Sequence, residues 1–311
     1  MNDNYLTFNR RRFLRYLTYL GTVPFLPLPK LFAANRTTLK RLIPSSQQAI
    51  PVIGMGSWLT FDVGNDADAI ATRTQVLQRF FDHGGGMIDS SPMYGSSEKV
   101  IGQCLKHISN RQDLFSTTKV WTPGKNAGIA QMINSQSLWG LKTFDLMQIH
   151  NMLDWETHLE TLKEWKAKGH IRHIGITTSH GRRHAALEQV LKNEAFDFVQ
   201  FTYNVIDREA EQRLLPLALE RKIAVIINRP FRGGDLFILF KNKPLPDWAR
   251  EIDCYNWAQF FLKFIISHPA VTCTIPATSQ VAHMEENMGA GIGRLPDGTM
   301  RKKMIHYLSD I

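Results

Sequence analysis

Eight short runs of β-forming residues alternate with helical stretches over most of the chain, and this alternation constrains the fold more than any other feature. The helical stretches carry apolar residues three or four positions apart, as amphipathic helices do. Regular alternation of strand and helix is typical of parallel βα units. Eight such units close a (β/α)8 TIM barrel, which usually takes ~250 residues. The sequence therefore predicts an α/β fold, a single-domain (β/α)8 TIM barrel over residues 48–311. The candidate strands are Val52–Met55, Met87–Ser90, Phe115–Val120, Phe144–His150, His173–Thr177, Phe198–Tyr203, Ala224–Asn228 and Val271–Ile275.

An open, doubly wound sheet is the alternative arrangement of such units. A dinucleotide-binding fold of that kind carries G-x-G-x-x-G in its first strand-to-helix turn. Here residues 54–60 read G-M-G-S-W-L-T, without a third glycine. The barrel is therefore the better interpretation.

The net charge of +9 over 311 residues is concentrated at the N-terminus. The first 34 residues hold Arg10, Arg11, Arg12, Arg15 and Lys30 against Asp3 alone, which gives this segment +4 and leaves +5 for the remainder. In that remainder, Lys and Arg residues are interspersed with acidic ones and form no stripe. This pattern argues against a nucleic-acid-binding face.

No metal site is predicted. The three cysteines have no C-x-x-C spacing, which argues against a zinc knuckle and a redox pair. Four histidines lie close together in the sequence, but no carboxylate completes a recognisable ligand set with them. These histidines are His170, His173, His180 and His184.

The N-terminal segment resembles a bacterial twin-arginine export signal. Arg10 and Arg11 are followed by one residue, by Phe13 and Leu14, and then by a weakly hydrophobic run that prolines interrupt. The run is shorter than the ~20 residues that cross a bilayer as a helix, so no permanent membrane span is expected. We interpret residues 1–34 as a signal peptide read by the twin-arginine export machinery, residues 35–47 as a linker, and the protein as periplasmic. A basic tail and an uncleaved anchor are the alternatives.

Polar residues lie at or just beyond the ends of three consecutive candidate strands. Asp89 ends the second strand and Tyr94 lies in the loop after it, while Lys119 and His150 end the third and fourth strands. In a (β/α)8 barrel the carboxyl ends of the strands form the functional face. We therefore expect Asp89, Tyr94, Lys119 and His150 to meet at one rim.

This set, in this strand order, resembles the catalytic tetrad of the aldo-keto reductase family. The run D-S-S-P-M-Y-G-S-S-E over residues 89–98 carries the resemblance, which extends from residue 48 to about residue 290. It implies NAD(P)H-dependent reduction of an aldehyde or ketone, with Tyr94 as the general acid. A free tyrosine has a pKa of about 10, so Lys119 is expected to lower the pKa of Tyr94, and Asp89 to keep Lys119 charged. His150 is expected to hold the carbonyl oxygen.

The resemblance also implies a dinucleotide extended across the barrel mouth. Gln200 matches the glutamine that holds the carboxamide, and Thr177 and Thr178 stand where the family usually has Ser-Asn. Trp58 and Trp121 match positions that line the substrate pocket. The adenosine end corresponds to Thr278, Ser279, Glu286 and Asn287.

Two departures from the family pattern concern the cofactor. Asn228 stands where an aromatic ring generally stacks on the nicotinamide, so that stacking is lost or passes to Phe231. Arg229 and Arg232 are unusual there and are assigned to the pyrophosphate. The positions that select a ribose phosphate carry Ser279 and uncharged neighbours in place of Lys or Arg, which favours NAD over NADP.

A function from another class remains as the alternative. An exported cofactor-binding or redox-sensing module of the same fold would keep the tetrad and turn over little. The substituted nicotinamide platform and the export signal favour it, whereas the complete tetrad favours an enzyme whose partner is a small-molecule carbonyl substrate.

Overall fold

Eight parallel strands form the central sheet of the protein, whose computed structural model describes residues 38–310. The strands lie side by side in chain order from β3 to β10. They are β3 (Met55–Gly56), β4 (Met87–Asp89), β5 (Phe115–Val120), β6 (Phe144–Ile149), β7 (Ile171–Thr177), β8 (Phe198–Thr202), β9 (Ala224–Asn228) and β10 (Val271–Thr274).

The two ends of this sheet meet and close the barrel. Isolated parallel bridges join Ile53 to Thr274 and Gly56 to Ala277. A Cβ on Gly56 would lie 2.8 Å from the carbonyl oxygen of Ile275, so the absence of a side chain allows this close approach. The predicted α/β fold, a single-domain (β/α)8 barrel, is confirmed.

Helices cover the outside of the barrel and follow the strands. They are α1 (Ala67–Asp82), α2 (Ser97–Leu105), α3 (Lys125–Trp139), α4 (Trp155–Ala167), α5 (His184–Asn193), α6 (Leu214–Glu220), α7 (Asp235–Leu239), α8 (Trp257–Ile266), α9 (Val281–Gly289) and α10 (Gly298–Asp310). Between β8 and β9 the chain forms a 3-10 turn at Glu209–Glu211 and then α6. Pro216 lacks an N–H, and proline is tolerated only within the first turn of a helix, so α6 begins at Leu214.

A short antiparallel hairpin closes the end of the barrel opposite the carboxyl ends of the strands. Its strands are β1 (Lys40–Leu42) and β2 (Ala49–Pro51), with Lys40 opposite Pro51. Ile43 and Ile50 are buried and pack in one cluster with inward-facing residues near the starts of the strands. Residues 35–47 are predicted as a linker, whereas their described part, from residue 38, forms the first half of this hairpin and covers the apolar end of the barrel.

The predicted signal peptide, residues 1–34, lies outside the described residues. Among residues 38–310, no helix combines the length and the apolar character needed to cross a membrane. Within the same range there is no cluster of three or more His, Cys, Asp or Glu side chains that could hold a metal ion.

Candidate active site

A buried ion pair lies at the carboxyl ends of β4 and β5. Lys119 Nζ is 2.5 Å from Asp89 Oδ2, and the two side chains are 0% and 2% exposed. Lys119 Nζ also donates to the carbonyl oxygen of Ser90 at 2.7 Å. Burial by itself lowers the pKa of Lys119, but the charges of Asp89 and the adjacent Tyr94 raise it above its ordinary value. Lys119 therefore stays protonated although no part of its side chain reaches water.

Tyr94 lies beside this pair, in the loop after β4. Lys119 Nζ is 5.1 Å from the centroid of its ring. Burial raises the pKa of the Tyr94 phenol, while the charge of Lys119 acts in the opposite direction. Lys119 thus contributes the expected lowering of the Tyr94 pKa. Desolvation of the phenol is the larger effect, so the pKa of Tyr94 is raised overall. Tyr94 is consequently protonated at neutral pH.

The backbone that presents Tyr94 is anchored to Asp62. Asp62 Oδ1 accepts hydrogen bonds from the backbone N and from Oγ of Ser96, at 2.8 and 2.7 Å. Gly95 has φ 57°, and a Cβ there would lie 2.4 Å from the Asp62 carboxylate. Glycine at position 95 therefore allows both the left-handed backbone and the close approach of the Asp62 carboxylate.

His150, directly after β6, completes the predicted tetrad. Its ring lies 5.7 Å from that of Tyr94 and nearly perpendicular to it. Burial, together with the charge of Lys119, lowers the pKa of His150 to about 3, so the imidazole is neutral.

The hydroxyl of Ser91 contacts one ring nitrogen of His150. Ser91 Oγ lies 2.8 Å from His150 Nδ1 and accepts a hydrogen bond from the backbone N of Met93 at 3.2 Å. The hydroxyl hydrogen of Ser91 is available to Nδ1. In the tautomer that this donation favours, Nε2 carries the proton and can donate to a substrate oxygen.

A layer of amides connects the tetrad to the next strands. Asp89 Oδ1 accepts from Nε2 of Gln148 at 2.9 Å and from Nε2 of Gln200 at 3.2 Å. Asn228 Nδ2 donates to Oε1 of Gln200 at 3.3 Å and to the carbonyl oxygen of Thr178 at 2.9 Å. Asn228 therefore helps to fix the orientation of Gln200.

A cavity of about 640 Å³ lies above these residues. It brings together twelve of the predicted site residues, from the tetrad to the proposed adenosine end. They are Trp58, Asp89, Tyr94, His150, Thr177, Thr178, Gln200, Asn228, Arg229, Phe231, Thr278 and Ser279.

Five predicted residues do not line this cavity. Lys119 lies beneath it, and the Trp121 ring is 6.3 Å from that of His150 at the rim. Arg232, assigned to the pyrophosphate, instead pairs with Asp207 at 3.2 Å. Glu286 and Asn287 lie on α9.

Several residues that position the site were not predicted from sequence. Asp62, Ser91 and Gln148 act through contacts with residues far away in the chain. Ser91 stands inside the tetrad motif, so its polarity was the available signal. No sequence signal identifies Asp62, because a carboxylate in a loop is ordinary in any sequence.

Comparison with known proteins supports the assignment made from the motif. The model of the family described as "Aldo/keto reductase family" matches residues 52–303. Methylglyoxal reductase YeaE of Escherichia coli K12 is 28% identical over 257 residues, which cover 78% of this chain and 86% of that enzyme.

Solved structures share the fold. An aldo-keto reductase from Bacillus halodurans in its holo form gives a TM-score of 0.72 at 21% identity, covering 87% of this chain and 96% of that one. An aldo-keto reductase from Klebsiella pneumoniae in complex with NADPH gives 0.72 at 23% identity, covering 88% and 95%. Since the family model spans most of the sequence, the chain belongs to the aldo/keto reductase family of oxidoreductases.

Proposed function

We propose that the protein reduces an aldehyde or ketone with NADH or NADPH, and that Tyr94 donates the proton to the carbonyl oxygen. The observation that carries this proposal is the placement of a protonated phenol between a buried Lys119–Asp89 pair and the neutral ring of His150, at one end of a large cavity.

The residues present fit a dinucleotide. The cavity extends from Tyr94 to Thr278, and its volume is that of an ordinary cofactor site. Thr178 Oγ1 is buried and has no hydrogen-bond partner among the described residues, which suits it to a carboxamide. Gly233 and Gly234, with φ 74° and 107°, permit close approach to the backbone beside Arg229, the candidate for the pyrophosphate.

When bound, the reduced nicotinamide supplies a hydride to the carbonyl carbon. The residues of this chain handle the oxygen. In this proposal Tyr94 and His150 Nε2 both donate hydrogen bonds to it, which holds the carbonyl for attack. As negative charge develops on the oxygen, the Tyr94 proton passes to it, and the charge of Lys119 stabilises the phenolate that remains. Proton transfer of this kind contributes ~10² to 10⁴-fold to a rate.

We further propose that the protein prefers NADH. Ser279, Gln280 and His283, which line the adenosine end, supply no fixed positive charge for a ribose phosphate. Arg73, on α1, reaches this region, but its guanidinium donates to the carbonyl oxygens of Thr60 and Ser279.

The decisive experiment is to assay the purified protein with NADH or NADPH against a panel of aldehydes that includes methylglyoxal, the substrate in the relative's name. Tyr94→Phe is expected to abolish reduction and to leave dinucleotide affinity nearly unchanged. Unchanged turnover in that variant contradicts the mechanism. Tight dinucleotide binding without turnover of any aldehyde would instead favour the redox-sensing module, the function that the missing aromatic platform at Asn228 supports.

We also propose export to the periplasm by the twin-arginine route, on the basis of the arginine pair and the apolar run that follows it. Cell fractionation tests this. Changing Arg10 and Arg11 together to Lys is expected to retain the protein in the cytoplasm, and export of that variant contradicts the proposal.

A further inference from the structure

A second, smaller cavity of about 190 Å³ lies beside the main one. Four of its lining residues also line the main cavity, so the two spaces are adjacent. We call it the side chamber. It is lined by Asn151, Thr178, Ser179, His180, Arg182 and Arg183.

The side chamber carries positive charge and no lining carboxylate. Arg183 Nη1 donates to the carbonyl oxygen of Asn151 at 2.8 Å, which ties this guanidinium to the loop after His150. Arg182 makes no ion pair with any residue in the range 38–310. The nearby acid, Glu209, is 3.7 Å from Nδ1 of His184.

The electrostatic environment of His180 agrees with this picture. Burial lowers the pKa of His180, and the charges of Arg229 and Arg182 lower it further. Arg182 and Arg183 both line the side chamber itself, so an anion placed there would gain from two guanidinium charges.

The side chamber lies next to the reacting groups. Asn151 directly follows His150, and consecutive Cα atoms are about 3.8 Å apart. The backbone N of Asn151 donates to Thr177 Oγ1 at 3.0 Å, so this loop is held against the end of β7. The wall of the side chamber therefore begins one residue after His150, whose ring is assigned to the substrate carbonyl.

We propose that the side chamber binds a carboxylate on the substrate, and that the preferred substrates are aldehydes or ketones bearing such a group. Arginine is suited to this role because its planar fork matches a carboxylate. The inference rests on the proposed carbonyl reduction and adds the substrate class to it. Since Arg182 and Arg183 are exposed, the preference is expected to weaken as salt is raised.

The test compares matched substrates. We would measure KM and kcat for succinic semialdehyde and 4-carboxybenzaldehyde against the neutral butanal and 4-methylbenzaldehyde, at low and high salt. At least one carboxylate is expected to show a KM about tenfold below that of its neutral counterpart. Arg182→Gln is the first variant, because this side chain is exposed and makes no ion pair within residues 38–310, and Arg182→Glu reverses the charge. Arg221→Gln, an exposed arginine just before β9 at the opposite end of the barrel, is the matched control.

The expected result is that Arg182→Gln removes most of the preference, that Arg182→Glu inverts it, and that Arg221→Gln retains it. Reduction of neutral aldehydes without any carboxylate preference overturns the inference and leaves the proposed function intact. A preference that survives both Arg182 variants also overturns it. If the Arg182 variants raise the KM for the dinucleotide and not the KM for the aldehyde, Arg182 belongs to the cofactor site, and the inference is again overturned. If no aldehyde is reduced, the proposed function fails and this inference fails with it.

Discussion

Ser91 Oγ and His150 Nδ1 lie 2.8 Å apart in the buried wall of the cavity. The contact joins the loop that carries Tyr94 to the end of β6, so the two groups assigned to the substrate oxygen are positioned by one hydroxyl. When the hydroxyl donates to Nδ1, it favours the tautomer of His150 that has a proton on Nε2. Ser91 is therefore a positioning residue for the proposed reaction.

Replacing Ser91 with Ala is expected to lower kcat about five- to tenfold, the cost of one hydrogen bond of ordinary strength, with dinucleotide affinity retained. Ser91→Thr should restore much of the rate. The ¹⁵N chemical shifts of His150 report the tautomer directly. Ser90→Ala is the control, since the Ser90 hydroxyl bonds to Ser57 and not to His150. Equal losses from the Ser90 and Ser91 variants would contradict the role.

Lys119→Met is expected to abolish reduction and to destabilise the protein by about 3–5 kcal/mol, because the Asp89 carboxylate is left buried and unpaired. Urea unfolding measures the stability. Changing Asp89 to Asn in the same chain removes the unpaired charge, so the double variant should regain much of the stability and none of the activity. Activity in the double variant would show that Tyr94 does not need the cation.

The rate of reduction is expected to stay nearly level from pH 5 to pH 8 and to fall at alkaline pH. Reduction needs Tyr94 in its protonated form, and burial raises the pKa of Tyr94, so the proton is lost only at high pH. His150, with a pKa lowered to about 3, is neutral over the whole range. The pH profile of kcat checks this. An inflection of kcat between pH 6 and 7 would show that a histidine of ordinary pKa controls the rate.

Asn228→Ala is expected to raise the Kd of the dinucleotide about five- to tenfold, because Gln200 Oε1 loses its donor and the amide is then held only through its nitrogen. Fluorescence titration with NADH measures this Kd. Asn193→Ala, which removes an exposed amide on α5, is the control. An Asn228→Ala variant with unchanged affinity would show that Gln200 does not hold the cofactor.

Gly95→Ala should cost more stability than Gly169→Ala, although both glycines have positive φ. A Cβ at Gly169 meets nothing within 4 Å, so its cost is the backbone strain of ~1 kcal/mol. At Gly95 the new methyl also collides with Asp62 and displaces the loop that holds Tyr94. Thermal unfolding and kcat should both report the difference. Equal losses of stability and of kcat in Gly95→Ala and Gly169→Ala would show that the collision with Asp62 adds no cost.

The barrel could be predicted because each strand is a buried β-forming run bounded by polar or turn residues, a pattern that depends on local sequence. Phe115–Val120 and Ala224–Asn228 were predicted with the bounds observed. The hairpin was missed for the opposite reason. Lys40–Leu42 has three residues and mostly exposed side chains, and its strand conformation depends on the barrel end that it covers.

The same distinction applies to the site. The motif around Tyr94 locates the tetrad because the strand ends converge in any such barrel. The ion pair between Arg232 and Asp207 could not be predicted, because the two residues are 25 positions apart in the sequence. Likewise, the direction in which the pKa of Tyr94 shifts depends on how far the phenol is buried, which the motif does not encode.

The hairpin under the barrel has a practical consequence. Thr38, two residues before β1, donates its hydroxyl to the carbonyl oxygen of His83, on the closed side of the barrel. Ile43 and Ile50 then seal that side. An attachment made through residue 38 would hold the molecule by its sealed base and leave the catalytic mouth facing outward. Immobilisation on an electrode or a bead through this point is therefore expected to keep the cavity accessible to cofactor and substrate.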